Sequence, residues 1–451
     1  MKIIQLLPTI AYGDAVGNDC AAIYKILKDD GCDTAIYAEN IDYRLPKGFA
    51  HRVSDMPRLS PDDILIYHLS TGTELNKRLK DFNCRKVIFY HNITPPDFFK
   101  LYDPVSFELC RSGLGQARSL APYAEYCIAD SEFNRQDLRQ MGYSCPIDVA
   151  PILIPFEDYD KEPDAETMRQ YSDGKVNILF TGRIAPNKRH EELIRAFAAF
   201  HRDEPNSRLI LAGSYQDGDR YAKRLKRYVR ELCLDESVVF TGHISFASIL
   251  ALYRTADVFW CMSDHEGFCV PLVEAMYFDI PIVAASSTAI PWTLGGSGVL
   301  LDEKDPELTA AVTRRLLADQ ELRHKVIEGQ RERLADFGYE KTAALIRGYL
   351  RKIIEGRIGE EAPNHSDDIR MANIDGKGSA VDGEVSTVNG EENALDGKGS
   401  AVDGEVSTVN GEESALDGKG STVDGKVSAV DGERNTVDGE ESTPEGSGKD
   451  D

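Results

Sequence analysis

The chain has no stretch approaching the ~18 consecutive apolar residues that a membrane-crossing helix requires, and no two of its cysteines stand in a CxxC spacing. Its nine cysteines, at 20, 32, 84, 110, 127, 145, 233, 261 and 269, are odd in number, and several sit inside apolar runs such as Tyr126-Cys127-Ile128-Ala129. That usage argues against a disulfide framework and for reduced, mostly buried thiols in a cytoplasmic protein. A basic excess is also lacking. The net charge is −24; residues 371–451 carry 20 acids and 6 bases, which leaves only −10 for the first 370 residues. No nucleic-acid footprint is expected. Aromatic residues end at Tyr349, and with them the capacity to form a core. The opening MKIIQLLPTIAYGD is too short in apolar residues for a secretion signal and is broken by Pro8, so it reads as a first buried strand.

What is present is a repeated grammar. Short apolar runs without alternation (Lys2–Leu7, Thr34–Ala38, Ile64–Leu69, Val87–His91 and Tyr126–Ala129, then Val176–Thr181, Arg208–Ala212, Val238–Thr241, Val258–Met262, Ile280–Ala284 and Gly298–Leu301) are separated by segments of helical periodicity. Runs of this kind suit parallel strands covered on both faces. The expected fold class is α/β, with two doubly wound, Rossmann-like domains: an N-terminal one over 1–160 and a second over 166–356. The proline- and acid-rich text PILIPFEDYDKEPDAE marks the boundary. Residues 357–451 read as an acidic tail, in which ten heptapeptides fill 375–444. Most heptads offer one or two apolar residues, and every one has a glycine at its second position, so disorder is expected rather than a coiled coil.

Two segments carry the chemistry. Ser263-Asp264-His265-Glu266-Gly267-Phe268-Cys269-Val270-Pro271 follows a strand, and Pro271 suits the first turn of the next helix. The Gly267–Val270 loop then offers backbone N–H groups to an anion at a helix N-terminus. Glu266 and Glu274, eight residues apart, flank that loop, and Glu274 could accept two hydrogen bonds from a vicinal diol such as ribose. The second segment, Gly182-Arg183-Ile184-Ala185-Pro186-Asn187-Lys188, follows another strand. It places two cations where open α/β sheets bind ligands. A third loop, Tyr12–Asp19, opens a helix after the first strand, and His91 ends the fourth apolar run.

These residues resemble the donor site of retaining glycosyltransferases of family 4, whose motif E-G-F-G-x-P-x-x-E-A-M is matched from Glu266 to Met276 except for Cys269 in place of a glycine. The resemblance covers roughly residues 1–355. It implies a GT-B fold with a central cleft, and a last helix, near Ala343–Ile354, packing back toward the first domain. Arg183 and Lys188 are implied on the donor diphosphate, Glu266 on donor sugar hydroxyls, and His91 near the anomeric centre. Gly17, Gly267, Phe268, Cys269, Val270 and Glu274 complete the implied donor contacts. No metal or other cofactor is expected, because side-chain cations already face the diphosphate. The implied reaction is hexosyl transfer, from mannose or glucose donors, to a saccharide or lipid-linked saccharide in surface polysaccharide or glycoconjugate synthesis. That would place the enzyme in the cytoplasm or peripherally at the inner membrane face. A nucleotide-sugar epimerase or a non-catalytic binding protein on the same fold are the rival readings.

Overall fold

The computed structural model describes residues 1–358, apart from Tyr12 and Asp217. The heptad region, with the expectation of disorder attached to it, lies outside the described residues, and so does Asp217 of the Asp217-Gly218-Asp219 loop. Among the described residues the strands form two parallel sheets. The first holds β1 (Lys2–Ile10), β2 (Asp33–Ile41), β3 (His51–Arg52), β4 (Ile64–Leu69), β5 (Arg85–Tyr90), β6 (Tyr126–Ala129) and β7 (Ile147–Val149), in the order β3-β2-β1-β4-β5-β6-β7. The second holds β8 (Val176–Thr181), β9 (Ser207–Ala212), β10 (Val238–Phe240), β11 (Val258–Cys261), β12 (Ile282–Ala285) and β13 (Val299–Leu301), in the order β10-β9-β8-β11-β12-β13. All six residues of β4 and all six of β9 are buried, the signature of strands covered by helices on both faces.

Strand order reverses beside β1 in one sheet and beside β8 in the other. In doubly wound sheets such a reversal opens a crevice at the carboxyl ends of the strands. The loops after β1, β5, β8 and β11 therefore converge on one region.

Pro8 does not end the first strand. β1 runs on to Ile10, paired with β2 at Thr9 and Ile10, while its register with β4 stops at Leu6. A proline costs a ladder hydrogen bond only where a neighbour would accept it, and here one neighbour has already turned away. The two edge strands of the first sheet, β3 and β7, carry no apolar run that a periodicity argument could have found.

The chain exchanges partners twice between the sheets. Ile152 and Ile154 pack into the core of the second sheet, while Ala150 and Leu153 pack into that of the first. The helix Tyr339–Ile354, which falls within the sequence span of the second domain, buries Ala343, Ile346, Tyr349, Leu350 and Ile353 against Ile3, Ile23, Ile64 and Val87 of the first. The Tyr349 hydroxyl also donates to the Val149 carbonyl. The apolar stripe of that helix is thus satisfied by a sheet that ended nearly two hundred residues earlier.

Candidate active site

Between the carboxyl edges of the two sheets lies a cavity of about 730 Å³, with Asp14, His91, Arg183, Lys188, Glu266 and Glu274 in its wall. Its centre is the loop after β11. The Ser263–Cys269 segment turns into the helix Val270–Tyr277, with Pro271 in the first turn. Among the described residues nothing accepts from the N–H groups of Gly267, Phe268 or Cys269, as a helix N-terminus awaiting an anion requires. Cys269 stands at φ +74°, a left-handed conformation that glycine adopts without strain. Its side chain turns into the core, where Sγ lies 3.9 Å from that of Cys261. The glycine usual at this place in the resembling motif is therefore explained by backbone conformation. The cysteine keeps that backbone and adds a buried sulfur within 4.8 Å of the Glu266 carboxylate.

Lys188 and Glu266 meet directly: Nζ donates to both carboxylate oxygens at 2.6 Å. Burial opposes the lysine's charge, but the Glu266 carboxylate outweighs it and holds the ammonium above its ordinary pKa. Arg183, by contrast, is exposed and makes no side-chain bond among the described residues. Its charge helps keep Asp103 below the usual carboxylate range, after hydrogen bonds from Ser106 and Val105 have overcome the burial cost. One cation is neutralised and half-sheltered, and the other is free for an incoming anion.

Glu274 is also committed. The Tyr159 hydroxyl donates to one oxygen at 3.1 Å and the Tyr253 hydroxyl to the other at 2.5 Å. Burial raises its pKa, and the two tyrosine bonds work against that rise. Each oxygen keeps a lone pair for a ligand hydroxyl, so the tyrosines orient the carboxylate and leave it able to bind.

The structure separates some expected site residues from the cavity. Gly17 lies in the first turn of the helix Ala15–Asp29, its N–H donating to the Asp14 carboxylate. A Cβ there would sit 2.7 Å from the Ala11 carbonyl. Gly17 therefore allows close packing, and Gly13, Asp14, Ala15 and Asn18 face the cavity in its place. Phe268 is buried against Trp292 and Phe337 and is not among the residues of the cavity wall. Val270 remains in the wall. His91 reaches the wall too, but its ring does not present a free nitrogen: Nε2 faces His68 at 2.9 Å and Nδ1 faces Asp130 at 3.0 Å. Both ring nitrogens are thus engaged by protein groups.

Other residues were missed. His265 and Asn92 join the two domains, Nε2 lying 2.6 Å from Asn92 Oδ1. Asn92 Nδ2 donates to Asn134, so its oxygen is the acceptor and His265 the donor. Burial pushes His265 down to about 4, and it is neutral in that bond. Ser131 caps the helix Glu132–Gln140 and donates its hydroxyl to the Gly267 carbonyl at 2.6 Å. Nothing in the sequence links Ser131 to a loop 136 residues away.

Comparison with known proteins adds the family. The model of glycosyl transferases group 1 matches residues 165–333. Residues 165–333 belong to the glycosyl transferases group 1. The chain is 28% identical over 258 residues to D-inositol 3-phosphate glycosyltransferase of Kineococcus radiotolerans, covering 52% of this chain and 59% of that protein. It is 30% identical over 190 residues to a GDP-mannose-dependent alpha-(1-6)-phosphatidylinositol monomannoside mannosyltransferase of Mycolicibacterium smegmatis, covering 40% and 49%. It thus spans about half to three-fifths of these relatives' length. Among solved structures, sucrose-phosphate synthase from Thermosynechococcus elongatus superposes with a TM-score of 0.62 at 18% identity, over 79% of this chain and all of that one. Anabaena HepE, solved with UDP-glucose, gives 0.59 at 18% over 78% and 100%. These likenesses establish the two-domain GT-B fold. No helix among the described residues is long and apolar enough to cross a membrane.

One buried acid in the first domain, beside His91, sets a pH dependence. Asp19 accepts from the Leu153 N–H at 3.0 Å, and burial raises its pKa from 3.8 to about 7, against the pull of His91. A carboxyl with a raised folded pKa costs nothing below the unfolded value, and its cost grows until the folded value is passed. Asp19→Asn keeps the acceptor oxygen and removes the charge. It is expected to stabilise the protein on the order of 2–4 kcal/mol near pH 8 and to have no effect below pH 4. Thermal unfolding of both forms across that range checks the sign; equal Tm values at pH 8 would refute it.

Proposed function

We propose that the protein transfers a hexosyl group from a nucleoside-diphosphate sugar to an acceptor hydroxyl, with retention of anomeric configuration. The observation that carries this reading is the cavity itself. A bidentate Lys188–Glu266 pair, a free Arg183 and an unpaired run of backbone N–H groups at a helix N-terminus converge on one place, opposite the first domain. In this reading the diphosphate lies between Arg183, Lys188 and the Gly267–Cys269 amides. Glu274 holds the ribose diol, and Glu266 shares itself between Lys188 and the sugar hydroxyls. As the bond from C1 to the phosphate oxygen breaks, its electron pair passes to the diphosphate, whose growing charge the fixed cations stabilise. The acceptor oxygen bonds to C1, and its proton passes to the leaving phosphate oxygen. Relatives named for inositol phosphate and phosphatidylinositol mannoside acceptors, and a neighbour solved with UDP-glucose, support this class of donor and a saccharide or lipid-linked acceptor.

Hydrolysis of a panel of nucleotide sugars without acceptor is the direct test: slow release of one hexose with its nucleoside diphosphate is expected. Conversion to an epimeric nucleotide sugar would favour the epimerase reading instead, and inertness toward the whole panel would leave only a binding role. Because the diphosphate's counter-charges are side chains, turnover should survive EDTA within about twofold. Abolition by EDTA with recovery on manganese would show that a metal holds the diphosphate.

A further inference from the structure

We propose that His68, held by Gln5, is a positioning residue that keeps His91 doubly protonated, so that an imidazolium stands in the cavity wall across neutral pH. The four groups lie side by side across four neighbouring strands, in sheet order: Gln5 within β1, His68 near the end of β4, His91 just past β5 and Asp130 just past β6. His68 and Gln5 are fully buried, and the His91 side chain is 1% exposed.

The protons follow from one fixed point. The Gln5 amide nitrogen donates to the Cys20 carbonyl at 3.1 Å, and a carbonyl can only accept. The Gln5 oxygen is therefore turned to His68 Nε2, 2.9 Å away, and that nitrogen carries a proton. His68 Nδ1 lies 2.9 Å from His91 Nε2. If both rings were neutral, with the second proton on His91 Nδ1 toward Asp130, two lone pairs would face each other across that gap. A bond there requires one more proton. The carboxylates decide which ring owns it. Asp130 is 3.0 Å from His91 Nδ1, and Asp19 and Asp14, both on or before the first helix, act on the same ring. His68 has Gln5, Phe89 and His91 around its ring and an Asp19 carboxylate oxygen within 4.8 Å, but among the described residues no carboxylate is hydrogen-bonded to it. Burial opposes charge on both, but the three acids lift the pKa of His91, while burial and the neighbouring cation push His68 well down.

The consequence rests on the reading of the cavity as a donor site. With both ring N–H groups consumed inside the wall, His91 acts on a bound diphosphate sugar through its field and not through a hydrogen bond. In a poorly hydrated wall that field is weakly screened. His68 sets its strength without touching substrate.

Selective 15N labelling of histidine in the full chain, with ring assignments from His68→Asn and His91→Asn, reads the states directly. At about pH 7.5 the His91 ring should show two protonated nitrogens and His68 a protonated Nε2 with a bare Nδ1. His68→Leu removes the acceptor and should lower the His91 pKa by at least about one unit. It should carry the alkaline limb of kcat/KM with it, while His68→Asn, whose oxygen can replace Nδ1, restores both. A neutral His91 in the wild-type spectrum overturns the proposal, even if His68→Leu fails to fold. So does an imidazolium signal unchanged in a folded His68→Leu. Absence of transfer in every form, with the ring states as described, would count against the donor-site reading alone.

Discussion

Arg183→Ala and Lys188→Ala should each lower transfer by at least ~100-fold, the scale of losing one preorganised donor to a developing oxyanion. The structure separates the two variants by a second readout. Arg183 is exposed and unbonded among the described residues, so its removal should leave Tm unchanged. Lys188 neutralises Glu266 through two 2.6 Å bonds, and its removal strands a carboxylate that is buried. A buried charge that loses its partner costs up to ~3 kcal/mol or more, so Lys188→Ala should also unfold at lower temperature. Lys188→Ala combined with Glu266→Gln should recover that stability without recovering turnover. Near-normal kcat/KM in both single variants, with folding confirmed by circular dichroism, would remove these cations from the reaction.

A single methyl on Gly267 should be almost as damaging. A Cβ at that position would lie 2.6 Å from Asn92 Cβ and 3.2 Å from Asn134 Nδ2, both in the first domain. The loop can relieve the overlap only by withdrawing. That breaks the Ser131 bond to its own carbonyl and the His265 bond to Asn92, and moves the amides that face the diphosphate. Misplacement by ~1 Å can cost ~100-fold in rate. Gly267→Ala is therefore expected to lose one to two orders of magnitude in kcat/KM while keeping both domain cores and the far-ultraviolet signal intact. The local conformation is not the obstacle: Gly267 is not among the residues at positive φ. Turnover within about twofold of wild type would show that the first domain does not press on this loop during catalysis.

The cations, the carboxylate pair and the loop were legible because each belongs to a strand-to-helix turn whose place at the sheet edge follows from the alternation of apolar runs and helical segments. The failures share a different cause. Gly17 shares the first helical turn with Ala15 and Asn18, which face the cavity, and differs from them only in rotation about the helix axis, which spacing alone does not fix. Phe268 and Cys269 stand beside residues in the cavity wall, yet their side chains are buried, Phe268 against Trp292 and Phe337 and Cys269 behind Glu266 next to Cys261. His91 was placed at the end of its strand, but that both its ring nitrogens are engaged could not be read from the sequence, since their partners lie 23 and 39 residues away along the chain.

By itself the sequence determined the α/β class, the doubling of the unit and the chemical types gathered at the second sheet. Those follow from local periodicity and from turn residues, which act over a few positions. Only the tertiary structure decided which charges are already spent on one another. Lys188 and Glu266 are 78 residues apart, Glu274 and Tyr159 are 115, and Ser131 and Gly267 are 136. Pairing at such separations depends on where two sheets bring their carboxyl ends, and on burial that makes an unpaired polar group costly. The free arginine, the committed lysine and the imidazolium in the wall are products of that convergence.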